Sequence, residues 1–107
     1  MRRAQHYLDR IAALIRAGRY EQALEVVAKA IALEPHDAKL YNNRGAIYDL
    51  MAQPERAIGD YTRAIELDPD CPANYHNRAL SYADLGDSQK AIADEMTAIQ
   101  LDPGRAD

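Results

Sequence analysis

Apolar residues recur along this chain at spacings of three and four. Near the start, Tyr7, Leu8, Ile11, Ala12, Leu14 and Ile15 fall on one wide face, which predicts a half-buried α-helix from about Ala4 to Ala17. Gly18 follows, a natural helix terminator because it enters the left-handed region without a Cβ clash. Ala23, Leu24, Val27, Ala30 and Ile31 mark a second helix from about Tyr20 to Leu33, which Pro35 forbids from continuing. The pattern then restarts. Asp37 is a candidate N-cap for a third helix, about 38 to 51, carrying Leu40, Tyr41, Gly45, Ile47, Tyr48 and Leu50. Pro54 suits a first helical position, and the fourth helix, about 55 to 67, stops before Pro69. Pro72 opens a fifth, marked by Tyr75, Ala79, Leu80 and Tyr82 and ended at Leu85-Gly86. Asp87 caps a sixth, about 88 to 101. Six helices of roughly 14 residues, each about 21 Å long, make an all-α chain. Residues 103–107 are expected to fray.

The helices repeat. The stretch Ala57 to Pro69, AIGDYTRAIELDP, returns as Ala91 to Pro103, AIADEMTAIQLDP, and has an echo at Ala23 to Pro35, ALEVVAKAIALEP. Each copy lies 34 residues from the last. A fixed period of this length reads as helical hairpins that stack, each hiding its apolar face against its neighbour. Two residues break local rules. Ala52 stands where Gly18 and Gly86 make the turn, and a left-handed alanine costs about 1 kcal/mol. Gly59 lies mid-helix and costs about 1 kcal/mol against alanine.

The length of 107 residues leaves room for one domain, 1–107. Hydrophobic residues make up 48% of the chain, so a core is available and wholesale disorder is not expected. With no Trp and no Phe, the seven Tyr are the large aromatic fillers. A net charge of −4 argues against a nucleic-acid backbone or an anionic membrane as main partner. No apolar run approaches the ~18 residues a membrane span needs, and charges at Asp9, Arg10 and Arg16 argue against a signal peptide. One Cys excludes an internal disulfide and fits a reducing compartment, so the cytoplasm is the expected location.

The recurring residues resemble those of tetratricopeptide repeat proteins, built from 34-residue helix–turn–helix units. The match covers about residues 4 to 105, in units of about 4–37, 38–71 and 72–105. The large residue early in the first helix is Tyr7, Tyr41 and Tyr75. The small residue four positions on is Gly45 and Ala79, and the next signature position is Leu14, Tyr48 and Tyr82. Ala23, Ala57 and Ala91, then Ala30, Ala64 and Ala98, mark the second helices, and Pro35, Pro69 and Pro103 close the units. The resemblance implies a right-handed α-solenoid. Two departures matter. Ile11 stands where a small residue belongs, so the first pair should pack more loosely or at a shifted angle. Glu95 replaces the apolar residue seen as Val27 and Tyr61, a charge that reads as a partial cap on the last unit. Ile92, Met96, Ile99 and Leu101 should stay partly exposed, which suggests either end-to-end self-association through the terminal helices, the second functional expectation, or a chain cut from something larger.

The resemblance also implies that the first helix of each unit lines a concave groove holding an extended peptide or a partner helix. The inner surface would then hold Gln5, Leu8, Asp9, Ala12 and Arg16, then Lys39, Asn42, Asn43, Ala46 and Asp49, then Ala73, His76, Asn77, Leu80 and Asp84. Asn43 and Asn77 are one period apart, and an amide both donates and accepts, so it can pair with a peptide backbone in two directions. The plain alternative is that Asn is a common polar residue at this position. A family variant clamps a terminal carboxylate with two Lys, two Asn and an Arg. The matching positions here are Leu8, Ala12, Asn43, Ala73 and Asn77, where every cation is missing, so that clamp is not expected. Arg10, Arg44 and Arg78 recur at the period, as do Asp60 and Asp94, and read as structural pairs within a unit or across a boundary. His6, His36 and His76 fall in different units without metal-ligand spacing. His76 is placed to approach Asp49 or Asp84 across the groove, and a solvated groove histidine is the expectation. Cys71 reads as an incidental thiol. No catalytic residue, metal or cofactor is expected, and the functional expectation is a non-enzymatic module that binds a partner protein.

Overall fold

The computed structural model describes residues 3–105. The elements are α1 (Arg3–Arg16), α2 (Tyr20–Leu33), α3 (Ala38–Leu50), α4 (Pro54–Leu67), α5 (Pro72–Asp84) and α6 (Ser88–Leu101), followed by a 3-10 turn, Pro103–Arg105. Residues 103–105 of the terminal segment form that turn, while Ala106 and Asp107 lie outside the described residues. Local chemistry starts four of the helices. The Asp37 carboxylate accepts from the Lys39 N–H at 3.0 Å, and that of Asp87 from the Lys90 N–H at 3.2 Å. Pro54 and Pro72 open α4 and α5, where a missing N–H goes unnoticed.

The three hairpin turns share one geometry. The N–H of Arg19, Gln53 and Asp87 each reaches back five residues, to the carbonyls of Leu14, Tyr48 and Tyr82, at 2.9 Å. This satisfies carbonyls that the helix end would otherwise leave open, and it needs one left-handed residue. Gly18 and Gly86 supply it at φ 74° and 83°; Ala52 is forced into it at φ 59°.

Helices pair α1 with α2, α3 with α4 and α5 with α6, and each pair leans on the next through α2–α3 and α4–α5. In addition α1 approaches α3 and α3 approaches α5, whereas α2 and α4, or α4 and α6, do not approach each other. A stack whose first helices lie closer than its second helices curves toward the first. The molecule is therefore an α-helical solenoid with α1, α3 and α5 on its inner side.

Within each hairpin, one pair of facing positions sets the spacing. In the second unit Tyr61, 2% exposed, covers Gly45, and a Cβ at Gly45 would stand 2.7 Å from the ring. The corresponding positions of the first unit hold Ile11 and Val27, both buried in one cluster. A larger residue on one helix meets a smaller one on the other, so the exchange is compensated, and α1 still packs against α2 less closely than its counterparts do. In the third unit the positions hold Ala79 and Glu95, and the carboxylate turns outward to His76.

The two seams between units use opposite chemistry at corresponding positions. At the first seam Leu8 and Ile15 of α1 and Leu40 and Ile47 of α3 join one apolar cluster. One period on, these four positions are Asn42, Asp49, Asn74 and Ser81. Asn42 Nδ2 donates to Asn74 Oδ1 at 2.6 Å, and the Ser81 hydroxyl donates to the Asp49 carboxylate, 2.9 Å from each oxygen. The Tyr61 hydroxyl donates to the same carboxylate at 2.8 Å. Asn74 and Ser81 are buried, and these bonds offset their loss of water. Mispairing the units would set a buried polar group against a leucine or isoleucine, so the seams fix the order of stacking.

Further bonds recur with the period. The hydroxyls of Tyr41 and Tyr75 donate to the carbonyls of Pro35 and Pro69, at 2.8 and 3.0 Å, pinning each unit to the turn before it. Arg44 grips Asp60 through two nitrogens at 2.9 and 2.8 Å, and Arg78 grips Asp94 at 2.8 Å twice. Both pairs lie within a unit, and Arg78 also reaches Thr62 across the seam at 3.2 Å. The hydrogen-bonded carboxylates raise both arginine pKa values, so these cations stay charged despite partial burial. In the first unit the position matching Asp60 is Val26, buried, and Arg10 is exposed.

Candidate functional site

The inner layer places a repeated row of side chains on the curved face. Asn43, Ala46 and Leu50 are three and then four residues apart and so share one side of α3. The matching rows are Asp9, Ala12 and Arg16 on α1, and Asn77, Leu80 and Asp84 on α5. Between the N-terminal parts of these helices lies a cleft of about 370 Å³. Leu8, Lys39, Asn42, Asn43, Ala73 and Asn74 line it, and the turn residues Asp68 and Cys71 border it. A larger hollow of about 680 Å³ runs over the turn from Leu33 to Lys39 and shares Lys39 and Asp68 with the cleft.

Lys39, Asn42 and Asn43 are thus brought together. They differ in what remains available. The Asn42 amide N–H is committed to Asn74. Asn43 is half-buried, and Asn77 is half-buried farther along the curve on α5. Among the described residues neither of these two side-chain amides is engaged, although the Asn77 backbone carbonyl accepts from Ser81 at 3.3 Å. Lys39 is exposed.

Asp49 needs correction as a groove residue. Its oxygens serve Tyr61 and Ser81, so it ties α4 and α5 to α3. The repeat register carries the signal: Asp49 aligns with Ile15, whereas the row position is that of Arg16, Leu50 and Asp84. One residue turns a side chain about 100° round a helix. His76 also departs from expectation, since its Nδ1 lies 2.7 Å from Glu95 Oε1 rather than near Asp49 or Asp84. Asp9 and Asp84 are exposed at the two ends of the curve, with Asp9 accepting from Gln5 Nε2 at 3.3 Å. The sequence reading missed Asp68, Cys71 and Asn74. The first two sit in the turn between units, which helix-face reasoning does not reach.

The cleft has the chemistry of recognition. It offers an amide that donates and accepts, apolar walls at Leu8 and Ala73, and one cation, Lys39, with Asp68 also on the lining. The five positions matching a carboxylate clamp, Leu8, Ala12, Asn43, Ala73 and Asn77, carry no cation. Among the described residues no group of three or more His, Cys, Asp or Glu is placed to hold a metal. No described helix is long and apolar enough to cross a membrane.

Family models described as tetratricopeptide repeat match residues 38–71 and 60–93, and one described as TPR repeat matches 13–51. The second TPR of Spaghetti (RPAP3), solved bound to the HSP90 peptide SRMEEVD, is 30% identical, with a TM-score of 0.88 and 94% of each chain covered. The chain belongs to the tetratricopeptide repeat family. This tetratricopeptide repeat protein also resembles MamA, at 25% identity and a TM-score of 0.88 over 96% of its own length and 60% of MamA. The first TPR domain of human RPAP3 shares the fold at 20% identity and a TM-score of 0.91, covering 96% of this chain and 81% of that one. No curated protein is a significant match.

Proposed function

We propose that this tetratricopeptide repeat domain is a non-enzymatic interaction module that holds an extended segment of a partner protein along its inner curve. The observation that carries the reading is the preformed cleft between α1, α3 and α5, with the Asn43 amide on its lining and engaged by no other described side chain. Asn77 continues the row on α5. Two amides, each able to donate and accept, pair with the backbone of an extended segment whatever its side chains, while Leu8 and Ala73 offer apolar contact. The second TPR of Spaghetti, solved with a peptide bound and similar over nearly its whole length, supports a peptide-binding role. The cation-free clamp positions make the recognised feature the backbone of the segment rather than a terminal carboxylate.

Peptides selected from a display library on the immobilised domain test the reading. Replacing Asn43 and Asn77 together by Ala removes two backbone pairings of about 1 kcal/mol each and should weaken a selected peptide about thirtyfold, with helicity unchanged. Unchanged affinity would reject the groove. Capping a selected peptide as its C-terminal amide should leave binding within about twofold, since no charge-assisted partner is lost; a large loss would show that a clamp operates.

A further inference from the structure

The exposed large apolar side chains are not evenly spread. Leu33, Leu50 and Leu80 stand on separate helices, whereas Leu85, Ile92, Met96, Ile99 and Leu101 all lie on or beside α6. Ile92, Met96 and Ile99 are four and three residues apart and form one stripe, 60%, 56% and 46% exposed. Leu85 sits apart from this stripe, at the C-terminal end of α5. On α4 the matching residues Ile58, Thr62 and Ile65 are half-buried, and Thr62 accepts from Arg78 of α5 at 3.2 Å, which sets this side of α4 against α5. The stripe is therefore a surface made to receive a helix, and among the described elements no helix covers it.

We propose that the covering helix is α6 of a second copy, packed antiparallel about a two-fold axis that passes near Met96. In such an isologous contact the same patch serves both partners, so it must match itself. This one does. Ile92 of one copy falls opposite Ile99 of the other when Met96 faces Met96. The rim is formed by Ser88, Gln89 and Gln100, which are uncharged, and by Glu95, whose carboxylate is occupied by His76 at 2.7 Å. Self-pairing therefore sets no free like charges together. The head-to-tail alternative matches poorly. It would bring α1 of one copy onto the last unit of the other as α3 meets the first unit. The positions that are Leu40 and Ile47 on α3 are His6 and Ala13 on α1, both exposed, and the receiving positions would be His76 and Ala83. Neither the leucine–isoleucine packing of the first seam nor the hydrogen bonds of the second would form.

One helix of about 21 Å covers less than the ~800 Å² per partner of a standard interface. The pair is accordingly weak, dissociating as the protein is diluted through the micromolar range.

Sedimentation equilibrium from about 10 µM to 1 mM, with circular dichroism as a folding control, tests this, over a range chosen from the weak affinity that such a small contact supports. The average mass should rise from one chain toward two, and Met96→Lys should hold it at one chain with helicity retained. In a Cys71→Ser background, Met96→Cys should form a disulfide-linked dimer under mild oxidation, because a residue beside the two-fold axis meets its own copy. A chain that stays monomeric at 1 mM overturns the proposal. So does a dimer indifferent to Met96→Lys, or one in which the cysteines at position 96 fail to link; either places the contact elsewhere, as end-to-end stacking would. The peptide groove lies on other helices, so either result leaves the binding reading to its own test.

Discussion

Gly45 and Gly59 make a matched pair of perturbations. Both sit inside helices, so replacing either by Ala gains about 1 kcal/mol of helix propensity. A Cβ at Gly59 meets no atom within 4 Å. At Gly45 it would lie 2.7, 2.9 and 3.0 Å from three carbons of the Tyr61 ring, about 1 Å inside an ordinary carbon–carbon contact. The ring has little freedom to retreat, because Tyr61 is 2% exposed and its hydroxyl is tied to Asp49, which also holds Ser81. Overpacking of this kind costs about 1–3 kcal/mol. After the propensity gain, Gly45→Ala should lose about 1 kcal/mol net, while Gly59→Ala should gain about 1 kcal/mol. Thermal melts followed by circular dichroism should then move in opposite directions, by about 4–8 °C each. In a Tyr61→Leu background the Gly45→Ala penalty should shrink, since the clash belongs to the pair. If Gly45→Ala melts as high as Gly59→Ala, the close approach of α3 and α4 through this residue is wrong.

Four further outcomes follow from the same geometry. Ala52→Gly releases a left-handed alanine and should raise the melting temperature by a few degrees; a clear drop would mean that the turn does not require φ 59°. Burial, then the hydrogen bond to Asp49, pushes the Tyr61 phenol far above its usual 10.0. Above pH 10 the unfolded chain gives up that proton and the folded one keeps it, so this contribution is complete below pH 10 and stability falls as pH rises further, by up to about 1.4 kcal/mol per pH unit. Urea titrations should show that slope in the wild type and a shallower one in Tyr61→Phe; equal slopes would contradict the buried phenol. Asp94→Ala strands Arg78, 18% exposed at its side chain, and should cost about 3 kcal/mol. Glu66→Ala, which breaks an exposed pair with Arg63 at 3.3 Å, should change the denaturation midpoint hardly at all.

The helices were legible because each signal was local and repeated. The third was expected over about 38 to 51 and spans Ala38–Leu50; the fourth was expected from about 55 and starts at Pro54. Proline at helix starts, a left-handed residue at the turns and aspartate caps act within a few residues, so the sequence displays them. The exposed stripe on α6 was legible for the same reason: a periodic apolar face recurs there, and among the described elements no helix covers it. What escaped depends on neighbours distant in sequence. Asp49 is polar and lies beside the inner row, so composition offers it to a ligand, whereas the fold gives it to Tyr61 and Ser81, 12 and 32 residues away. Only the alignment of Asp49 with Ile15, and of Ser81 with Ile47, exposes the exchange of an apolar seam for a hydrogen-bonded one. His76 likewise turned to Glu95 because the residue replacing Tyr61 at that position is short, charged and free to swing outward. Asp68 and Cys71 reached the cleft through a turn, and turn residues follow no face.

The inner curve as a receptor for an extended segment is tested most directly by amide chemical shifts of the isotope-labelled domain as a display-selected peptide is added. Shifts should concentrate on α1, α3 and α5 at Lys39, Asn43, Ala73 and Asn77, and leave the outward faces of α2 and α4 unmoved. Shifts confined to those outward faces, or to the α6 stripe, would contradict the account.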